Sequence, residues 1–360
     1  MKKRQIKKTA KNIVYFLTYH SGVTNLLLKL LTKARKNHPC IILLYHRIIN
    51  DNSKYLDKGP GMHHHIKDFE KEIPYLKKNY QILPMDEVVA HIKSGQGFDR
   101  PTVAITFDDG YRDNYTLAYP LLQKHGVPAT IYLTSSLIGS EKRTWTDQIE
   151  QAFLLTHREY FLLPALFGEE KISIRTKEEK RTTCIELASK LKSLPDMRRK
   201  ELLHDIFEGL GMNGSNPLER GSRIMLNWDE VKEMARHGIT FGSHSHTHPI
   251  LSRMPPQEAK EDILMSKKII EEQLGREIKH FAYPNGRAED FSEELREYCK
   301  EIDFESVATV IFGVNNVKDN STFSLRRVPA TRPIWMLAGE LLKQFARSKN
   351  STDYHNTVSQ

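Results

Sequence analysis

Apolar residues in this chain form short continuous runs, separated by stretches in which they recur every three or four positions. The runs Cys40–Tyr45, Tyr80–Leu83, Thr102–Phe107, Ala129–Leu133, Ile239–Phe241, Ile278–Tyr283, Val307–Phe312 and Phe323–Val328 predict buried strands. Helical spacing between them predicts helices over Asp68–Leu76, Asp86–Ile92, Tyr115–His125, Trp228–His237, Pro256–Gln273, Glu289–Cys299 and Ile334–Phe345. Gly126, Gly238 and Gly275 stand where three of these helices should end. Buried strands alternating with amphipathic helices point to parallel strands, in an α/β barrel or a doubly wound sheet.

The alternation breaks between about 144 and 223, where the pattern is helical and highly charged. Ile149, Phe153 and Leu154 form one apolar face, Ile185, Leu187, Leu191 and Leu194 a second, and Leu202, Leu203, Ile206, Phe207 and Leu210 a third. Gly211, Gly214 and Pro217 supply turn chemistry at its end. This reads as a helical insertion into a domain over 39–347. The tail 348–360 is polar and is expected to be disordered.

Residues 1–38 form a separate piece. Lys2, Lys3, Arg4, Lys7, Lys8 and Lys11 precede Ile13–Leu17 and then Leu26, Leu27, Leu28, Leu30 and Leu31. Thr18, Tyr19 and His20 interrupt the apolar stretch and no small-x-small cleavage site follows, so it does not read as a signal peptide. A basic amphipathic helical segment fits, docked on the domain or resting peripherally on an anionic membrane. No run reaches the roughly 18 apolar residues of a membrane span. Cytoplasm or the membrane periphery is therefore expected over secretion.

Composition narrows the chemistry. The 360 residues are 39% hydrophobic with a net charge of +9, as in a globular protein with a well-charged surface. The basic balance raises nucleic acid as a partner, but no reading helix, stacking-aromatic motif or zinc finger supports it. Cys40, Cys184 and Cys299 are distant and odd in number, which predicts buried free thiols rather than disulfides or a cysteine metal site. Nothing in the sequence fixes the oligomeric state.

Two motifs carry the chemistry. Thr106-Phe107-Asp108-Asp109-Gly110 follows one strand and His244-Ser245-His246-Thr247-His248-Pro249 follows another. One carboxylate can join the two imidazoles on a metal while its neighbour stays free to take a proton from water. Positions i and i+4 of a helical turn would turn both histidines the same way. In parallel α/β folds the site forms at the carboxyl ends of the strands. His46, Asp108 with Asp109, His244, and Tyr283-Pro284-Asn285-Gly286 all fall at such ends. A metal-dependent hydrolase is the reading these four clusters support.

With these motifs the chain resembles the polysaccharide deacetylases, the NodB-homology enzymes of carbohydrate esterase family 4. TFDDG matches the first family motif and HSHTHP the second, over roughly residues 39–140 and 224–335. The resemblance implies a distorted (β/α) barrel of about seven parallel strands. It further implies that Asp109, His244 and His248 bind a divalent metal and that Asp108 is the general base. Zn2+ suits two histidines and an aspartate, and Co2+, Ni2+ or Mn2+ suit similar sites. The substrate implied is an N-acetylated glycan.

Departures from the family pattern carry information too. The leucine-x-histidine motif expected near the C-terminus is absent there, and Leu44-Tyr45-His46 stands at the first strand instead. That resembles the circularly permuted branch and makes His46 the candidate general acid. The arginine expected before Pro-Tyr-Gly is missing, since the segment reads Ala282-Tyr283-Pro284-Asn285-Gly286. Arg326 or Arg327 on the final strand is the expected substitute for orienting the base.

The backbone N–H of Asn285 remains a candidate oxyanion donor. Tyr283 and Tyr111 are expected near the substrate, and Trp145 and Asp147 along a sugar cleft. His246 should turn away from the metal, and His63-His64-His65 reads as a solvated loop. Two other readings fit the same motifs: hydrolysis of another linear amide, and a non-catalytic glycan-binding module.

Overall fold

The computed structural model describes residues 2–33, 37–212, 223–319 and 321–347. The expected tail and the turn residues Gly214 and Pro217 lie outside these.

Seven parallel strands close a barrel: β1 (Cys40–Tyr45), β2 (Thr102–Phe107), β3 (Ala129–Leu133), β4 (Ile239–Ser243), β5 (His280–Ala282), β6 (Ser306–Phe312) and β7 (Leu325–Pro329). β1 completes the ring, pairing Ile42 with Arg327 of β7 on one side and Cys40 through Tyr45 with Thr102 through Phe107 of β2 on the other. The first strand in sequence thus lies between the last strand and the one bearing the carboxylates. The expected strand at 80–83 is only Gln81–Ile82, hydrogen-bonded to the start of β2 outside the ring.

Alternation along each strand sorts side chains to two sides. Ile41, Leu43 and Tyr45 of β1, with Val103, Ile105 and Phe107 of β2, face the surrounding helices and form the main core. Ile42, Ala104 and Leu325 face inward with Cys40. The interior is filled rather than open. Tyr132 packs with Ala282 and Ala308, all fully buried. Gly242 makes room for it, because a Cβ there would lie 2.6 Å from the Tyr132 ring and 2.7 Å from the His280 carbonyl oxygen. Arg327 shares this interior, completely buried, its guanidinium over the Tyr132 ring.

The insertion is helical as expected, with helices Trp145–Leu155, Lys177–Lys192 and Asp196–Gly209 around a core of Ile149, Phe153, Leu187, Leu191, Leu202 and Ile206. It adds a small antiparallel hairpin, Tyr160–Phe161 with Ile172–Ser173. Ile185 departs from its predicted face and lines the cleft beside the barrel mouth. The three cysteines are free and buried.

His63–His65 is not a solvated loop. It is a short strand paired with Arg47–Ile49, and His63 and His64 are buried. Glu72 explains this, holding His64 Nε2 at 2.9 Å while accepting from the Tyr45 hydroxyl at 2.9 Å. A buried carboxylate with two partners makes burial of the imidazole affordable, which local sequence cannot reveal.

Candidate active site

The carboxyl ends of β1, β2, β4 and β5 deliver the expected groups to one mouth of the barrel. After β2 the chain turns sharply through Asp109 (φ 75°) and Gly110 (φ 86°). A Cβ on Gly110 would lie 2.9 Å from Leu133 and Ile138 atoms, so glycine here serves both conformation and space. A non-glycine residue at positive φ is uncommon, and at Asp109 it aims the carboxylate into the site.

After β4, His244 donates neither side chain nor backbone to a helix. Residues 244–248 form a loop with Ser245 (φ 66°) and His248 (φ 58°) in the left-handed region. The expected helical i, i+4 geometry is therefore wrong; two positive-φ residues fold the histidines together instead. Asp262, on the buried face of the helix Pro256–Leu274, braces this loop. It accepts from the His246 N–H at 2.7 Å, the Thr247 N–H at 3.1 Å and the Thr247 hydroxyl at 2.7 Å. Sequence reading missed it. The available signal was a carboxylate on the apolar stripe of Ala259, Ile263 and Ile270.

The three donor groups of Asp109, His244 and His248 lie within 4.8 Å of one another. Asp109 Oδ1 is 3.0 Å from His248 Nε2 and 3.4 Å from His244 Nε2, and it is buried without a well-aligned hydrogen-bond donor. His244 Nδ1 is 2.8 Å from the Ala282 carbonyl oxygen, which takes its N–H and leaves Nε2 with a lone pair toward the cluster. One carboxylate oxygen and two imidazole nitrogens converging in this way fit a divalent cation.

Asp108 is set apart by Arg327. The guanidinium donates to both carboxylate oxygens, at 2.6 and 2.7 Å, and its Nε donates to the Thr309 carbonyl oxygen at 2.8 Å. Burial pushes the Asp108 carboxyl up, but the Arg327 charge and His244 outweigh it and hold the pKa below the usual range. Asp109 lies well below its usual value, burial again being outweighed by the imidazoles of His248 and His244. His244 is raised, because the two carboxylates overcome the effect of burial.

His46 lies across the same cleft, its Nδ1 2.9 Å from the Gly61 carbonyl oxygen. Burial lowers its pKa despite the opposing pull of Asp109 and Asp108. Asn285 (φ 64°) also lines the cleft, with its side-chain amide donating to Asp290 at 2.6 Å. The cleft has a volume of about 420 Å³ and takes one wall from the insertion, through Trp145, Ile185 and Lys192. Lys192 is a cation on that wall whose pKa burial and Arg287 lower to about 8.

Four expected residues, Tyr283, Tyr111, Arg326 and Asp147, stand outside the cleft lining. Tyr283 is fully buried and stacks on Phe291 at 4.4 Å, so its ring cannot meet substrate. Tyr111 is buried too, donating to Asp147 at 2.8 Å beneath the Arg47 guanidinium. Both follow the strand alternation or turn that sends them into the core. Arg326 points away from Asp108, as adjacent strand residues must, and its backbone pairs with the Asn315 side chain. His246 turns aside as expected, its Nδ1 2.8 Å from Ser135 Oγ.

Comparison with known proteins finds similar sequences and a shared fold. The family profile described as polysaccharide deacetylase matches residues 95–157 and 212–307, and the unmatched stretch between coincides with most of the insertion. A Bacillus subtilis protein named as a polysaccharide deacetylase, YxkH, is 24% identical over 297 residues, 82% of this chain and 73% of its own. A Staphylococcus aureus poly-beta-1,6-N-acetyl-D-glucosamine N-deacetylase is 27% identical over 125 residues, covering 32% of this chain and 43% of its own. Among solved structures, the fold is shared with the Streptococcus pyogenes deacetylase PplD (TM-score 0.56, 19% identity, 86% of this chain and 99% of that one). It is shared also with IcaB from Ammonifex degensii (TM-score 0.54, 18% identity, 86% and 98%). The polysaccharide deacetylase model thus matches the two stretches that carry both motifs, and the barrel is the fold of these solved deacetylases.

Proposed function

We propose that this protein removes N-acetyl groups from amino sugars of a polysaccharide or oligosaccharide, using a divalent metal, Zn2+ by preference. The observation that carries the reading is the division of labour between adjacent carboxylates. Asp109 faces the two histidines, while Asp108 is clamped by Arg327 and left outside the donor cluster. A binding module has no use for a second, separately held carboxylate.

Asp109, His244 and His248 would hold the cation, which supplies Lewis-acid polarisation of the acetyl carbonyl and eases deprotonation of water. Asp108 takes a proton from the water that attacks the acetyl carbon. Arg327 keeps that carboxylate ionised and fixes its direction. The backbone N–H of Asn285 donates to the developing oxyanion at the barrel mouth. His46 Nε2, the ring nitrogen left after Nδ1 engages Gly61, delivers a proton to the departing amine as the carbon–nitrogen bond breaks. Acetate and a free amino sugar result.

The test is acetate release from poly-β-1,6-N-acetylglucosamine and from N-acetylchitooligosaccharides, with simple acetanilides as controls. Release from the sugars that disappears in Asp108→Asn supports the reading. Turnover of acetanilides alone favours an amidase of other substrates, and glycan binding without turnover a binding module.

A further inference from the structure

We propose that the two N-terminal helices form a docking surface for an anionic phospholipid membrane. Helices Lys2–His20 and Val23–Lys33 meet at a turn through Ser21 and Gly22 (φ 77°), and both pack against the helix Ile334–Arg347. One side of this helix pair is satisfied by the barrel domain. Tyr15 packs onto Gly339 of the helix Ile334–Arg347, where a Cβ would lie 2.4 Å from the ring. Lys11 pairs with Glu340 at 2.9 Å, and Thr24 and Leu28 are buried.

The opposite side is apolar and open. Ile13, Val14 and Leu17 project from the first helix, and Val23, Leu26, Leu27 and Leu30 from the second, with exposures from 37% to 59%. The spacings i, i+1, i+4 and i, i+3, i+4, i+7 make each set one helical face. With Phe16, the pair holds eight of the fourteen large hydrophobic residues exposed among the described residues. A surface helix ordinarily buries its apolar stripe against the domain; here a second stripe is left over. No described helix is long and apolar enough to cross a membrane.

Charge selects the occupant. No Asp or Glu occurs before Asp51, while Lys2, Lys3, Arg4, Lys7, Lys8, Lys11, Lys29 and Lys33 all lie in the two helices. An aliphatic stripe in a purely basic setting complements acyl chains beneath anionic headgroups. A protein interface would be expected to carry several aromatic and arginine anchors at its centre, whereas these exposed residues are isoleucine, valine and leucine with Phe16 as the one aromatic. This inference goes beyond the deacetylase reading and does not depend on it.

The test is co-sedimentation of the full chain with vesicles of phosphatidylcholine alone or mixed with phosphatidylglycerol, at low and high salt. The expected result is binding to the mixed vesicles that weakens with salt and falls about tenfold or more in Leu17→Ser/Leu26→Ser/Leu30→Ser. Lys29→Glu/Lys33→Glu, exposed and outside every core, should weaken it too. Circular dichroism and melting verify that the variants fold. Absence of binding to either vesicle overturns the proposal, as does equal binding by the folded variants. A dimer in solution that the leucine substitutions dissolve, without vesicle binding, would assign the stripe to a second copy instead.

Discussion

Arg327 of the last barrel strand holds both carboxylate oxygens of Asp108, at 2.6 and 2.7 Å, from a fully buried position inside the barrel. The two residues are 219 positions apart and meet because β1 joins β7 to β2. Arg327→Lys keeps a charge but loses the paired geometry, and acetate release should fall by about tenfold or more. Arg327→Met strands a buried carboxylate and should cost about 3–5 kcal/mol in urea unfolding. Wild-type turnover in Arg327→Lys would remove the orienting role.

Asp108→Asn should retain bound metal and lose about a hundredfold or more in kcat. His46→Ala should behave likewise, with metal content unchanged. Metal analysis beside single-turnover acetate release reads both quantities. Metal loss in Asp108→Asn would mean that the two carboxylates share the cation.

Chelation followed by dialysis should abolish activity, and Zn2+ should restore it, with Co2+, Ni2+ and Mn2+ compared in parallel. His248→Ala should bind metal weakly, since one of three protein donors is gone. An enzyme that remains fully active with no measurable metal would refute the role of the cluster.

Asp262 touches neither substrate nor the donor atoms, yet it fixes the loop that carries both histidines. Asp262→Ala should weaken metal affinity about 10–100-fold, as loss of outer partners does in metal sites. Competition with a chromogenic chelator measures this directly. Excess metal should then rescue kcat, which damage confined to the base or acid would not allow.

Lys192 predicts a pH effect on stability. Its pKa falls to about 8 in the folded protein from the ordinary 10.5. Between these values the unfolded chain binds more protons, so this group makes stability rise with pH over that window. Its unfavourable contribution is fully present below about pH 8. Lys192→Met should flatten that rise, measured as urea midpoints in wild type and variant across the window. Parallel profiles would show that the cleft leaves this amine ordinarily protonated.

How much was legible in the sequence depended on the range of the interaction. Continuous apolar runs located the barrel strands and period-3.6 patterning most helices, because burial of a strand on both faces, or of every third-to-fourth helical residue, is a local constraint. Asp108, Asp109, His244 and His248 were legible as a group, because a metal-type donor set demands those residue types in short motifs. The choice between Arg326 and Arg327 needed the direction of β7 side chains at the closed seam. The burial of His64 needed Glu72, and the loop that presents His244 and His248 needed Asp262. Tyr283 read as a substrate contact only while the side it faced was unknown. Sequence alone determined most barrel strands and helices and the short motifs that bring the candidate donor groups together. Tertiary structure decided which buried charges meet and which faces remain open, because pairing energies depend on distances that closure of the barrel creates.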